Sequence, residues 1–110
     1  RGEVYWVTFS PAVGSEQAGR RPAVIVQNDI GNYYAPTTVV VPVTTMIPKR
    51  QYPTVVIVAA GEGGLPQASA FLANQIRTVD KRRLGERLGA LSPRQMAKLE
   101  QAIKVNLDLP

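Results

Sequence analysis

Short apolar runs rich in β-branched residues recur along most of this chain and leave room for little but a small β fold. They are Val4 to Phe9, Ala23 to Gln27, Thr37 to Thr44, Thr54 to Ala60 and Ala68 to Ile76, each the length of a strand and short for a packed helix. Turn formers separate them: Pro11-Ala12-Val13-Gly14, Asp29-Ile30-Gly31-Asn32, Pro48-Lys49 and Gly61-Glu62-Gly63-Gly64. Five strands at this spacing predict a small barrel or a tightly bent sheet. Pro42 falls inside the third run, so that strand should be bulged or exposed at an edge there. Leu84 to Leu91 reads either as a sixth strand or as a short turn.

The end of the chain follows a different period. Ser92 is a good N-cap, Pro93 fits the first helical position, and Gln95 completes a Ser-x-x-Gln capping box. Met96, Leu99, Ile103 and Leu107 then fall three or four apart and form one apolar stripe, read as core packing. With 110 residues and no repeat, low-complexity tract or linker, residues 1–110 are expected to form a single domain. A domain this size buries roughly two-thirds of its unfolded surface and can hold a core without staples.

Composition narrows the chemistry. There is no histidine and no cysteine, so zinc, copper, iron–sulfur and thiol chemistry lose their usual groups. The eight carboxylates show no D-x-D, E-x-x-E or EF-hand spacing, and neither metal nor cofactor is expected. Absence of cysteine fits a reducing compartment and the cytoplasm, though it is compatible with secretion. No run approaches the roughly 20 apolar residues of a spanning helix, and no signal peptide is visible. The chain begins at Arg1, so a few leading residues are expected upstream. Thirteen Lys and Arg against eight Asp and Glu give +5, a balance suited to a polyanionic partner. The bases gather at Arg20-Arg21, Lys49-Arg50 and Arg77 to Arg87; a solvated basic surface would look the same.

Four stretches could carry chemistry, each with an ordinary structural alternative. Ser10 to Arg21 is a long connection holding Ser15, Glu16 and Gln17 between glycines, suited to close over a ligand or simply to join a hairpin. Arg21 precedes Pro22, which biases it toward extended backbone, so its guanidinium would project from a stiff base toward a phosphate, or toward an ion pair with Glu16. Thr44-Thr45 ends the third run near Lys49-Arg50; its hydroxyls can position a phosphodiester, or reflect β propensity alone. Asn74-Gln75 stands at the end of the fifth run, where amides can read the edges of unpaired bases or lie idle on the surface.

Taken together, the stretches Arg1-Gly2-Glu3-Val4-Tyr5-Trp6, Phe9-Ser10-Pro11, Gly14-Ser15-Glu16-Gln17-Ala18-Gly19, Arg21-Pro22-Ala23-Val24, Val41-Pro42-Val43-Thr44, Asn74-Gln75-Ile76-Arg77-Thr78-Val79-Asp80 and Leu88-Gly89 resemble, in order, the MazF/PemK family of toxin endoribonucleases. The resemblance implies a mainly β, SH3-like (CcdB/PemK-like) barrel with a C-terminal helix, active as a homodimer with RNA in a groove at the subunit interface. It implies metal-independent, sequence-specific cleavage of single-stranded RNA, mRNA included, by 2′-hydroxyl attack, leaving 2′,3′-cyclic phosphate and 5′-hydroxyl ends. DNA lacks that hydroxyl and would be inert.

By position, the family's catalytic arginine falls on Arg21 and its catalytic threonine on Thr44, with Ser15, Glu16, Thr45, Ser69, Asn74 and Gln75 as RNA-contact candidates. A guanidinium barely deprotonates, with a pKa above about 12, so Arg21 is read as a charge stabiliser and the general base stays unassigned. Several family members carry an acidic residue where this chain has Asn74, which puts a base at that position in doubt. The implied partner is a cognate antitoxin of a type II toxin–antitoxin system, whose disordered, acidic tail blocks the groove. Two other readings stay open: a toxin of the same barrel that poisons DNA gyrase, and a basic RNA-binding module without activity. The gyrase poisons resemble one another in a C-terminal tryptophan; here the single tryptophan is Trp6.

Overall fold

The structure, a computed structural model, describes residues 1–9 and 19–110. Among these residues, seven strands form one strongly bent antiparallel sheet: β1 (Glu3–Phe9), β2 (Gly19–Ile25), β3 (Thr37–Thr44), β4 (Val55–Val58), β5 (Ser69–Leu72), β6 (Arg77–Asp80) and β7 (Leu84–Ala90). The order is β4-β5-β3-β2-β1-β7, with β6 also paired to β3. A short helix α1 (Asp29–Tyr34) bridges β2 and β3, and α2 (Pro93–Asn106) closes the chain. The bend is concentrated in β3, which pairs with β2 along one edge and, along the other, first with β6 through Thr37 to Val40 and then with β5 through Val43 and Thr44.

Alternation along β1, β2 and β3 gives the sheet two apolar faces. Val4, Val24, Val41, Val43 and Phe71 point toward α2, where Leu99 and Ala102 cover them. Val7, Phe9, Ala23, Ile25, Val40 and Val79 form a second buried layer on the other side. Strands buried on both faces read as continuous apolar runs, which is why the first three were legible.

Several expectations need correction. One strand is additional to those expected, β6 (RTVD), only four residues long and flanked by charge, and Leu84 to Leu91, open between a strand and a turn, forms the strand β7 (LGERLGA); the two are recruited by backbone pairing with β3 and β1. The run Ala68 to Ile76 breaks after Leu72 into a 3-10 turn, Ala73–Gln75, so Asn74 and Gln75 sit on a turn and not on a strand end. Asp29 to Asn32 belongs to α1, whose first turn is capped by the Asn28 side chain accepting from the Gly31 amide at 2.7 Å.

Pro42 is neither exposed nor at an edge. It is fully buried and stands opposite Ala23. The Ile25 carbonyl accepts from Gly2 on the β1 side at 2.7 Å, while the Val26 amide donates to Val39 of β3 at 2.9 Å. Strand alternation then makes Ala23–Pro42 a non-hydrogen-bonded pair. The Pro42 nitrogen therefore turns to the other edge, between the end of β6 pairing at Val40 and the start of β5 pairing at Val43, where no ladder donor is required.

The last helix starts at Ser92 as expected, its hydroxyl accepting from the Gln95 amide at 3.3 Å. The reciprocal half of the box is different: Glu62, from the turn before β5, accepts from the Ser92 amide at 2.8 Å, and the buried Gln95 Oε1 has no hydrogen-bond partner. Of the apolar stripe, Leu99 is buried and Met96 and Ile103 pack on the core, whereas Leu107 is exposed beyond the last turn. Replacing an N-cap serine by alanine costs about 1 kcal/mol. Ser92→Ala should lower the thermal midpoint by roughly 4–8 °C, measured by circular dichroism; an unchanged midpoint would show that Glu62 alone secures this helix end.

Candidate active site

Where β2 and β3 part, a pocket opens. Their pairing runs from Ile25–Val40 to Ala23–Pro42 and stops; one more hydrogen-bonded step would need a donor from Pro22, which has no N–H. Continued two residues further, the same register would set Arg21 opposite Thr44. Instead β2 remains paired to β1 through Pro22, Arg21, Arg20 and Gly19, while Thr44 is held on its other edge by Ala70 of β5. The splayed ends enclose a pocket of 270 Å³ bordered by Arg20, Arg21 and Trp6 on one wall and by Thr44, Thr45 and Ser69 on the other, with Leu65, Pro66 and Gln67 closing its rim.

Thr44 is 7 % exposed, and its hydroxyl oxygen accepts from the Met46 amide at 3.1 Å. That bond fixes the oxygen and leaves the O–H to donate. Thr45 is exposed at the same mouth. The Ser69 hydroxyl, 1 % exposed, donates to the Gln67 carbonyl at 2.9 Å; it holds the rim loop in shape more than it offers a contact. Arg21 is half-buried and Arg20 exposed. Among the described residues, two guanidinium groups and no carboxylate border the pocket, an environment that favours an anion. Larger hollows exist: one of 360 Å³ beside Lys98 holds a single guanidinium, Arg50, with the Tyr52 phenol, and one of 500 Å³ includes the Glu100 carboxylate; neither pairs two guanidinium groups with aliphatic hydroxyls.

The structure thus brings Arg21, Thr44, Thr45 and Ser69 together and leaves Asn74 and Gln75 outside the pocket lining. Ser15 and Glu16 lie outside the described residues. Gln67 also borders the site, as do Arg20, marked in the sequence only as half of a basic pair, and Trp6, marked only within the family stretch; the β1–β2 register, Trp6 opposite Pro22 and Thr8 opposite Arg20, reveals those two as neighbours. No group of three or more acidic side chains among the described residues could hold a metal ion.

A bent antiparallel sheet rolled into a small barrel, sealed by a C-terminal helix and opened at one strand junction by a cationic pocket, defines the class of this protein. The sequence pattern of the PemK-like, MazF-like toxins of type II toxin–antitoxin systems matches residues 1–107, and the chain belongs to that family. It is 43% identical over 109 residues to the endoribonuclease EndoA of Bacillus subtilis, spanning 99% of this chain and 94% of that protein. To the endoribonuclease MazF of Staphylococcus saprophyticus it is 46% identical over 109 residues, 99% and 91% of the two chains. A solved mycobacterial endoribonuclease in complex with its cognate antitoxin superposes with a TM-score of 0.80 at 32% identity, covering 100% of this chain and 95% of that one. The small CcdB/PemK-like barrel is accordingly the fold of this chain.

Proposed function

We propose that the protein is the endoribonuclease toxin of a type II toxin–antitoxin system, cutting single-stranded RNA at a short sequence without a metal ion. The observation that carries this reading is the convergence of Arg21 and Thr44 on one pocket free of carboxylates among the described residues. The similarity to EndoA and MazF, both endoribonucleases, supports it. The ribose 2′-oxygen attacks the adjacent phosphorus, the P–O5′ bond breaks, and the products are a 2′,3′-cyclic phosphate and a 5′-hydroxyl that has taken up a proton. Arg21 stabilises the charge that grows on the non-bridging oxygens as phosphorus becomes five-coordinate. Thr44, its oxygen fixed by the Met46 amide, donates to the same phosphate and orients it. Solvent or a residue outside the pocket accepts the 2′ proton.

The active form is a homodimer with RNA lying in the groove between subunits, working in the cytoplasm. A cognate antitoxin with a disordered, acidic tail holds it inactive; the +5 charge favours such a partner. Long transcripts incubated with the protein in excess chelator should be cut at one recurring short sequence, and end mapping should find 5′-hydroxyl termini. Uncut RNA, or cutting lost on chelation, would refute the reading.

A further inference from the structure

Beside the phosphate pocket lies a pair of side chains to which the proposed mechanism gives no task. The Arg20 guanidinium carbon lies over the Trp6 ring, 4.6 Å from its centroid. Both residues border the pocket that holds Arg21 and Thr44. Successive strand residues point to opposite faces, so Arg20 and Arg21 reach the same hollow only because it sits at the open end of β2. The pair packs beside β7: a Cβ on Gly85 would stand in ordinary contact, 3.5 Å from Trp6 Cβ and 3.6 Å from Arg20 Nη2.

We propose that Arg20, backed by Trp6, is a stacking subsite for a nucleobase flanking the scissile phosphate, an inference that rests on the endoribonuclease reading of the same pocket. A guanidinium lying over an aromatic ring is held flat by it and turns its other face outward. Arg20 is exposed while Trp6 beside it is half-buried, so the guanidinium can be reached from solvent. Unpaired bases are bound by stacking on aromatic and guanidinium planes, and a base one nucleotide from a phosphate held by Arg21 is within reach of the neighbouring side chain. Stacking tolerates any base, so Arg20 supplies grip and orientation and leaves sequence choice to groups that reach base edges.

The single tryptophan makes the inference directly readable. Labelled 2′-O-methyl RNA oligonucleotides, which keep base and phosphate but cannot be cut, should quench Trp6 emission in parallel with their binding by anisotropy. An abasic strand of equal length should bind without that quench. Arg20→Lys, which keeps the charge and loses the plane, should bind the base-bearing strands about five- to a hundredfold more weakly, the range spanned by one stacked base. It should leave the salt dependence and the affinity for the abasic strand unchanged. Oligonucleotide binding with unaltered Trp6 emission, or wild-type affinity in Arg20→Lys, would overturn the subsite even if the protein cuts RNA. A base-dependent quench in a protein that cuts no RNA would uphold the subsite and refute the nuclease.

Discussion

Arg21→Ala should lower the single-turnover rate of RNA cutting by on the order of 10²- to 10³-fold, the usual cost of one preorganised donor to a charged transition state. Binding of uncleavable RNA should weaken far less, because the ground-state phosphate carries its charge whether or not Arg21 is present and Arg20 still borders the pocket. The contrast follows from where charge grows: the non-bridging oxygens gain charge only as the fifth bond to phosphorus forms, so a donor aimed at them acts on rate before affinity. Arg21→Lys should recover only part of the loss. A lysine restores a point charge but not two parallel N–H donors on a planar fork. The truncated strand should stay paired, since residue 21 keeps its register with Val7 of β1 through its backbone, and an unchanged circular dichroism spectrum checks this. A variant that cuts as fast as wild type would remove Arg21 from the mechanism.

The reason Arg21 and Thr44 meet was only half legible in the sequence. Their identities stood out through the family resemblance, and the strand Thr37 to Thr44 was readable to the residue because it is buried on both sides and almost wholly β-branched. Their proximity depends on two prolines whose effect lies in register. Pro22 ends the β2–β3 ladder, and Pro42 turns its nitrogen into the gap between β6 and β5. A rule about proline in strands correctly flags an irregularity at Pro42; it misplaces it at an exposed edge because two different partners share one side of β3. The same limit left β7 open between a strand and a turn, because Gly85, Glu86, Arg87 and Gly89 break any apolar alternation, and it hid the approach of Arg20 to Trp6, neighbours only across paired strands. Local chemistry could be read from residue types. Long-range pairing could not, because backbone hydrogen bonds are the same for every residue except proline.

Gly64→Ala should destabilise the protein by on the order of 3–5 kcal/mol, a large part of the 5–15 kcal/mol that typically holds a domain together. Two effects add. Gly64 has φ +78, a conformation that costs an alanine roughly 1–2 kcal/mol. A Cβ there would also lie 2.0 Å from the Leu88 carbonyl oxygen and 2.7 Å from its carbon, in the backbone of β7, so no side-chain rotation can relieve the clash and the turn must move off the strand. Gly61 separates the two effects: it has φ +97 in the same turn, but a Cβ on it would meet nothing within 4 Å. Gly61→Ala should therefore cost the backbone contribution alone. The turn also carries Glu62, which holds the Ser92 amide at 2.8 Å, and it leads into Leu65, buried in the core and set at the pocket rim. Shifting it should loosen α2 and deform the pocket together, so Gly64→Ala should lose RNA cutting even below its unfolding temperature while Gly61→Ala keeps it. Thermal unfolding and cutting rates of the two variants, measured side by side, test the argument, and equal midpoints would show that the approach of this turn to β7 contributes nothing to stability.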